Sequence, residues 1–113
     1  MQIYHNPRCS KSRQTLALLE EKGLHPEVVL YLDTPPTTDT LRVLLAKLGF
    51  TSARQLMRTK EETYKELGLA DVTDEAALLE AMASHPKLIE RPIVINGDKA
   101  RLGRPPEQVL EIL

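Results

Sequence analysis

The chain has few aromatic residues: no tryptophan, one phenylalanine and three tyrosines, 4% of the sequence. A core must therefore come from Leu, Ile, Val and Ala. There is one cysteine, Cys9, which excludes an internal disulfide. Charge of one sign is also lacking. Fifteen Lys and Arg against sixteen Asp and Glu leave a formal charge of −1, which excludes a polyanion-binding surface spread over the whole fold but not a local basic pocket. No apolar run approaches the length of a membrane span, and Met1 leads into a short apolar strand and a polar loop rather than a secretory signal. The expected compartment is the cytoplasm, where a free thiol stays reduced. No linker, repeat or low-complexity tract interrupts the 113 residues, a length that fits one domain.

What is present reads as short strands alternating with helices. Gln2–His5 is a short strand stopped by Asn6-Pro7, because proline blocks strand continuation and disfavours helix at the residue before it. A helix follows from about Ser10 to Lys22. Its apolar stripe is Leu16, Leu18 and Leu19 with Ala17 beside them, and Gly23 is its C-terminal stop. Val28–Tyr31 is an apolar, β-branched run, predicted to be a buried strand. Strand, helix and strand with a short return pack most simply as a parallel pair joined by a right-handed crossover.

After the turn-rich stretch Asp33–Thr38, helices are predicted over Asp39–Leu48, Ser52–Met57, Glu61–Leu67 and Asp74–Ser84. Thr37 or Thr38 caps the first and Gly49 ends it; Gly68 ends the third; Thr73 or Asp74 caps the last, which stops before His85-Pro86. Ile93–Ile95 is a strand, Asn96-Gly97 a hairpin signal followed by Asp98, and Ala100–Leu102 the returning partner. Pro105 suits the first turn of a final helix through Ile112. The order predicts an α/β domain with a mixed four-strand sheet, in the thioredoxin architecture of N-terminal βαβ and C-terminal ββα. Residues 1–113 form one domain with a helical insertion at about residues 37–84.

Cys9 stands where the loop enters the first helix. The first N–H groups of a helix lack internal partners and the positive end of its dipole points there, so both favour a thiolate. His5, Arg8, Lys11 and Arg13 add nearby positive or potentially positive groups. A lowered pKa and a nucleophilic sulfur near neutral pH follow, and the same N–H groups can hold a tetrahedral oxyanion. The commoner fate of a lone cysteine is that of a small buried hydrophobe, but Arg8, Ser10 and Lys11 flank this one. Cys9-Ser10-Lys11-Ser12 has serine where a dithiol oxidoreductase has its second cysteine. A covalent adduct at Cys9 must therefore be resolved by an outside thiol. The phosphatase spacing of cysteine and arginine fails too: Thr15 stands where the arginine would be and Arg13 comes too early. One cysteine with the scattered His5, His25 and His85 makes no zinc set, and no bound metal or prosthetic group is expected.

Around Cys9 the chain reads Ile3-Tyr4-His5-Asn6-Pro7-Arg8-Cys9-Ser10-Lys11-Ser12-Arg13. Further on come Leu30-Tyr31-Leu32 with the Pro35-Pro36 loop, Leu56-Met57-Arg58, Tyr64-Lys65-Glu66-Leu67-Gly68, His85-Pro86, Glu90-Arg91-Pro92-Ile93-Val94 and Arg101-Leu102-Gly103-Arg104-Pro105. In this series, over essentially its whole length, the chain resembles the glutaredoxin-coupled arsenate reductase (ArsC-like) family, in its short bacterial form. The resemblance implies that a Cys9 thiolate attacks arsenate, glutathione adds to the adduct, glutaredoxin reduces the mixed species and arsenite leaves. It maps the substrate-binding arginines onto Arg58, Arg91 and Arg104, and the histidine that lowers the cysteine pKa onto His5. Pro92 takes the place of the cis-proline beside the active cysteine of thioredoxin-like folds, so a cis Arg91–Pro92 bond is predicted, with Pro92 and Ser12 structural at the site. The implied partners are arsenate, glutathione as reducing co-substrate and glutaredoxin, with no nucleic acid or membrane and a monomer as the default.

Physical chemistry is compatible with that division of labour. Arsenate is a tetrahedral anion, and holding it beside a thiolate costs repulsion that planar, permanently charged guanidinium groups offset. They would also stabilise charge moving onto the departing oxygen. Arg91 and Arg104 each precede a proline and so lie in extended loop backbone; Arg58 follows a helix, where the plainer role is a C-terminal dipole partner. Arg42, Arg54 and Arg101 read as solvated surface groups. The rival functions are a glutathione-dependent thiol reductase or a redox regulator of the same fold, a monothiol glutaredoxin-like protein reading Cys9–Ser12 as Cys-x-x-Ser, and an interaction module with a vestigial site. Arg104 discriminates best, because the same-fold relatives carry an aromatic residue there.

Overall fold

The computed structural model describes residues 1–113. In chain order its elements are β1 (Gln2–Tyr4), α1 (Ser10–Glu21), β2 (Glu27–Val29), α2 (Thr38–Leu48), α3 (Glu62–Glu66), α4 (Glu75–Ser84), β3 (Ile93–Asn96) and β4 (Lys99–Leu102). Short 3₁₀ turns lie at Ala53–Leu56, Leu69–Asp71 and Pro86–Leu88, and a longer 3₁₀ helix, Pro106–Ile112, ends the chain. These fall into two compact units, one made of Met1–Thr34 and Arg91–Leu113, the other of Pro35–Glu90.

The first unit is the sheet. Its strands run in the order β2-β1-β3-β4, with β1 parallel to β2 and antiparallel to β3, and β3 antiparallel to β4. This is the mixed four-strand, thioredoxin-like arrangement that the element order predicts. Successive side chains on a strand face opposite ways. Ile3 and its cross-strand partner Val94 therefore share one face, where they are buried with Leu19 of α1 and with Val109 and Ile112 of the terminal helix. Tyr4 and Ile93 share the other face, and there Tyr31 stacks on Tyr4 with ring centroids 6.3 Å apart. Ile93, Val94 and Ile95 are all buried, as befits an inner strand covered on both sides.

Three expectations for this unit are corrected. Val28–Tyr31 is not a buried strand. The strand is Glu27–Val29, it lies at the sheet edge, and Val28 is 44% exposed. After Val29 the chain turns, with the N–H groups of Asp33 and Thr34 donating to the Leu30 carbonyl; Tyr31 is buried from that turn, not from a strand. The apolar stripe of α1 is also misjudged: Ser12, Thr15 and Leu19 are its buried line, while Leu16 and Leu18 are half-buried and Ala17 is exposed. Finally, Pro106–Ile112 is a 3₁₀ rather than an α-helix, with Pro105 as its N-cap. The β3–β4 turn is Gly97-Asp98, with Asn96 paired to Lys99, and Gly97 takes the positive φ of +64° that a two-residue hairpin loop requires.

In the second unit α2 packs on α4, and α4 on the 3₁₀ turns Ala53–Leu56 and Pro86–Leu88. Thr37 caps α2 by accepting from the Thr40 N–H, and Gly49 ends it at φ +76°. Asp74 caps α4. Ser52 and Gln55 form a capping box, and the Glu75 carboxylate accepts from Ser52 Oγ and the Ala53 N–H. Arg54 is no solvated surface group: it donates to the Tyr64 hydroxyl and to the carbonyls of Leu69 and Val72, tying three segments together. Arg101 in the first unit pairs with Glu111 at 3.1 Å and Arg42 with Asp39 at 3.0 Å, both on the exposed surface.

Leu19 is fully buried at the centre of the sheet-face core. Leu19→Ala should lower the free energy of unfolding by about 2–5 kcal/mol, the usual range for such a truncation, measured by urea denaturation followed by circular dichroism. A change below about 0.5 kcal/mol, the size of an ordinary surface substitution, would show that this cluster is not the core of the unit.

Candidate active site

Cys9 is the N-cap of α1, with φ −94° and ψ 123°. The loop that delivers it is tightly fastened. Asn6 Oδ1 accepts from the Arg8 N–H at 3.0 Å, an Asx turn. Ser12 Oγ accepts from the Asn6 N–H at 3.2 Å, Arg13 Nη1 donates to the Pro7 carbonyl at 2.8 Å, and the Cys9 N–H donates to the Asn6 carbonyl at 3.0 Å. Ser12, where a dithiol enzyme would carry its second sulfur, is fully buried and serves as the staple of this loop.

Burial pushes the Cys9 thiol pKa up, and this is the largest single influence on it. The Ser12 N–H, the Arg91 guanidinium by hydrogen bond and by charge, and the Lys11 N–H act the other way and together prevail. The result is a pKa below that of an ordinary cysteine. The neutral thiol makes no capping hydrogen bond of its own; these donors favour the ionised sulfur.

Arg91 is set by its own neighbourhood. The Arg91–Pro92 peptide is cis, as predicted, and so is Arg104–Pro105. Arg104 Nε donates to the Arg91 carbonyl at 2.8 Å, and the Gly103 N–H donates to the Pro92 carbonyl at 2.9 Å. Gly103 is buried and has no room for a side chain: a Cβ there would lie 2.7 Å from Pro92 Cγ and closer still to Thr15 Oγ1. Thr15 is itself fully buried, and its hydroxyl donates to the Lys11 carbonyl at 2.8 Å. The sequence alone does not mark Thr15 and Gly103 as part of the site: its only signals are a threonine spaced three after Ser12 on a helix and a glycine beside Arg104-Pro105.

The first unit thus brings Cys9, Ser12, Arg91, Pro92 and Arg104 together around the start of α1. His5 ends β1 in the same unit and is buried, with Nδ1 lacking a hydrogen-bond partner. Burial and then the nearby Arg13 charge lower its pKa, so it is neutral near pH 7. The influences that lower the Cys9 pKa come from Ser12, Arg91 and Lys11. Arg58 belongs to the second unit. Its N–H donates to the Leu88 carbonyl at 2.7 Å beside the Met57–Ile89 bridge, and its guanidinium pairs with Glu61 at 3.4 Å. No three His, Cys, Asp or Glu side chains converge to hold a metal ion, and no helix is long and apolar enough to cross a membrane.

A lone thiol of lowered pKa at a helix start, with an arginine against it and a cis-proline directly after that arginine, defines a thiol-centred site on a thioredoxin-like sheet. Residues 4–112 match the profile of the ArsC family, and the chain belongs to that family. It is 65% identical to the uncharacterized protein YfgD of Escherichia coli over 100% of this chain and 96% of that one. It is 57% identical to an arsenate reductase of Haemophilus influenzae, covering 98% and 97% of the two chains. The solved structure of an arsenate reductase from Vibrio cholerae superposes with a TM-score of 0.97 at 59% identity, over 99% of this chain and 96% of that one.

Two outcomes follow from this geometry. The rate of Cys9 alkylation by iodoacetamide against pH should have its midpoint below that of a free cysteine, and Arg91→Ala should move that midpoint upward, since it removes a group that lowers the pKa; an unmoved midpoint would detach Arg91 from the thiolate. Gly103→Ala should lower stability in urea by about 1–3 kcal/mol, the usual cost of overpacking, and a neutral result would mean that β4 is free to move off Pro92 and Thr15.

Proposed function

We propose that this protein reduces arsenate to arsenite, with Cys9 as nucleophile, glutathione as reducing co-substrate and glutaredoxin as final reductant. The observation that carries the reading is Arg91 against a Cys9 thiol of lowered pKa at the start of α1. An anion brought to that sulfur meets a guanidinium and the first N–H groups of a helix, the groups suited to a tetrahedral oxyanion. The names of the Haemophilus influenzae and Vibrio cholerae relatives support the same substrate.

In this proposal the Cys9 thiolate displaces one oxygen of arsenate, which leaves as water after protonation. An S–As bond forms, an As–O bond breaks and arsenic stays pentavalent. Glutathione displaces a second oxygen in the same way. The glutaredoxin thiolate then attacks the glutathione sulfur; an S–S bond forms, the glutathione S–As bond breaks and its electron pair passes to arsenic, now trivalent. Water replaces Cys9 on arsenic, releasing arsenite and the thiol. Arg91 and Arg104 offset the anion's charge and that of the departing oxygen. Arg58 is the third arginine of the proposal. His5, neutral near pH 7, serves as a hydrogen-bonding neighbour rather than as a charge.

The test is turnover with arsenate, glutathione and glutaredoxin, coupled to NADPH through glutathione reductase. Wild type should consume NADPH only when arsenate is present, and Cys9→Ser should abolish this. Arg104→Ala should raise KM for arsenate roughly tenfold or more, the loss expected for a hydrogen bond to a charged group, and Arg58→Ala is read by the same KM. Absence of arsenate-dependent turnover, with Cys9 still alkylated readily at low pH, would leave a thiol-redox protein with a different substrate.

A further inference from the structure

The chain has one cysteine, so whatever resolves an adduct at Cys9 comes from outside and must find its place beside this sulfur. Arg91 acts on the sulfur, and Arg104 holds the Arg91 carbonyl. The loop that carries Cys9 also borders a cleft of about 440 Å³, formed by His5–Arg8 and by Leu30, Leu32 and Asp33 from the turn after β2. Apart from His5, no residue of that cleft has a part in the steps assigned above.

Leu30 and Leu32 remain 40% and 41% exposed, and with Pro7 they give the cleft apolar walls. Arg8 and Asp33 supply one charge of each sign. They are not paired with each other or with any other residue: the ion pairs of the structure are Arg42–Asp39, Arg58–Glu61 and Arg101–Glu111. His5 also lines the cleft; its side chain is more than nine-tenths buried and its Nδ1 has no partner. An unpaired polar atom at such a depth is costly unless a ligand or water completes it.

We infer that this cleft binds the resolving thiol as a small dipolar peptide, glutathione, held at Arg8, the residue that immediately precedes Cys9. The inference rests on the proposed reading that glutathione adds to the Cys9 adduct, and it adds the site. Glutathione carries carboxylates and an ammonium group, with amides and the thiol between them. A carboxylate suits Arg8, which immediately precedes Cys9, and the ammonium suits Asp33. An amide suits the neutral imidazole of His5, and the methylene groups suit Leu30 and Leu32. The volume lies in the range of small-ligand sites, and the charges complement both ends of a zwitterion rather than a surface of one sign. The thiol proton leaves to solvent as the sulfur adds to arsenic, and no further reactant is needed for that step.

The experiment uses S-methylglutathione, whose capped sulfur cannot react, so that binding is read apart from turnover. In ¹H–¹⁵N correlation spectra of the wild-type protein, titration should give saturable shifts at residues 5–8 and 30–33. Arg8→Ala and Leu32→Asp should each weaken that binding about tenfold, an effect of about 1.4 kcal/mol, and raise KM for glutathione in the coupled assay more than KM for arsenate. Saturable shifts confined to residues 91–93 and 103–105, or none at concentrations that support turnover, would overturn the cleft while leaving arsenate reduction standing. Saturable shifts at the cleft without any arsenate turnover would uphold the cleft and sink the reaction.

Discussion

The ionisation of one sulfur against its own burial organises the sheet unit around Cys9. Burial alone would hold Cys9 as a neutral thiol, and a neutral thiol is neither a nucleophile nor a reason to gather cations. The opposing groups are few and local. The Ser12 and Lys11 N–H groups are available because Cys9 is the N-cap and the first helical donors have no partners within α1. Arg91 is available because the chain returns through a cis-proline at the start of β3. Moving either the helix start or the Arg91 loop would tip the balance back toward the thiol.

Much of the remaining structure keeps those two pieces in register. On the helix side, Asn6, Ser12 and Arg13 fasten the loop so that Cys9 enters α1 in one conformation. On the sheet side, Gly103 closes onto Pro92 and Thr15 with no side chain between, and its N–H holds the Pro92 carbonyl. Arg104 completes this by donating to the carbonyl of Arg91. An arginine proposed to bind the anion thus also holds the backbone of the residue that faces the sulfur. The buried hydroxyls of Ser12 and Thr15 make the same point from α1. The face of the helix toward the site is polar and hydrogen-bonded, and only from Leu19 onward does it join the apolar core.

This member of the ArsC family carries a single sulfur on its thioredoxin-like sheet, and Ser12, where a dithiol protein would have its second, is buried and structural. The chemistry then depends on what approaches from outside. Arg91 and Arg104 are joined by a hydrogen bond in the sheet unit, and an apolar cleft with one charge of each sign borders the Cys9 loop.

The sequence by itself determined the element order, the helix stop at Gly49, the caps to within one residue (Thr37 or Thr38, Thr73 or Asp74), the parallel β1–β2 pair and the placement of Cys9 at a helix start. These are local matters: capping, turn chemistry and hydrophobic period act over a few residues and leave a mark in them. The series of motifs also pointed to Cys9, Arg91 and Arg104, and the structure holds Arg91 against Cys9 and Arg104 against the Arg91 carbonyl. Other features depended on neighbours distant in the chain. Whether Val28 is buried depends on whether another strand lies beyond β2, and none does. Which face of α1 turns inward depends on what packs against it: Thr15 lies against Gly103 and Ser12 is bonded to Asn6, so both are buried while Ala17 is exposed. Arg54 looked like any surface arginine until the carbonyls of Leu69 and Val72 came within its reach. Above all, only the tertiary structure decided that Arg91, more than eighty residues away in sequence, is the side chain that acts on the Cys9 sulfur. Electrostatic influence depends on separation in space, and sequence distance does not record it.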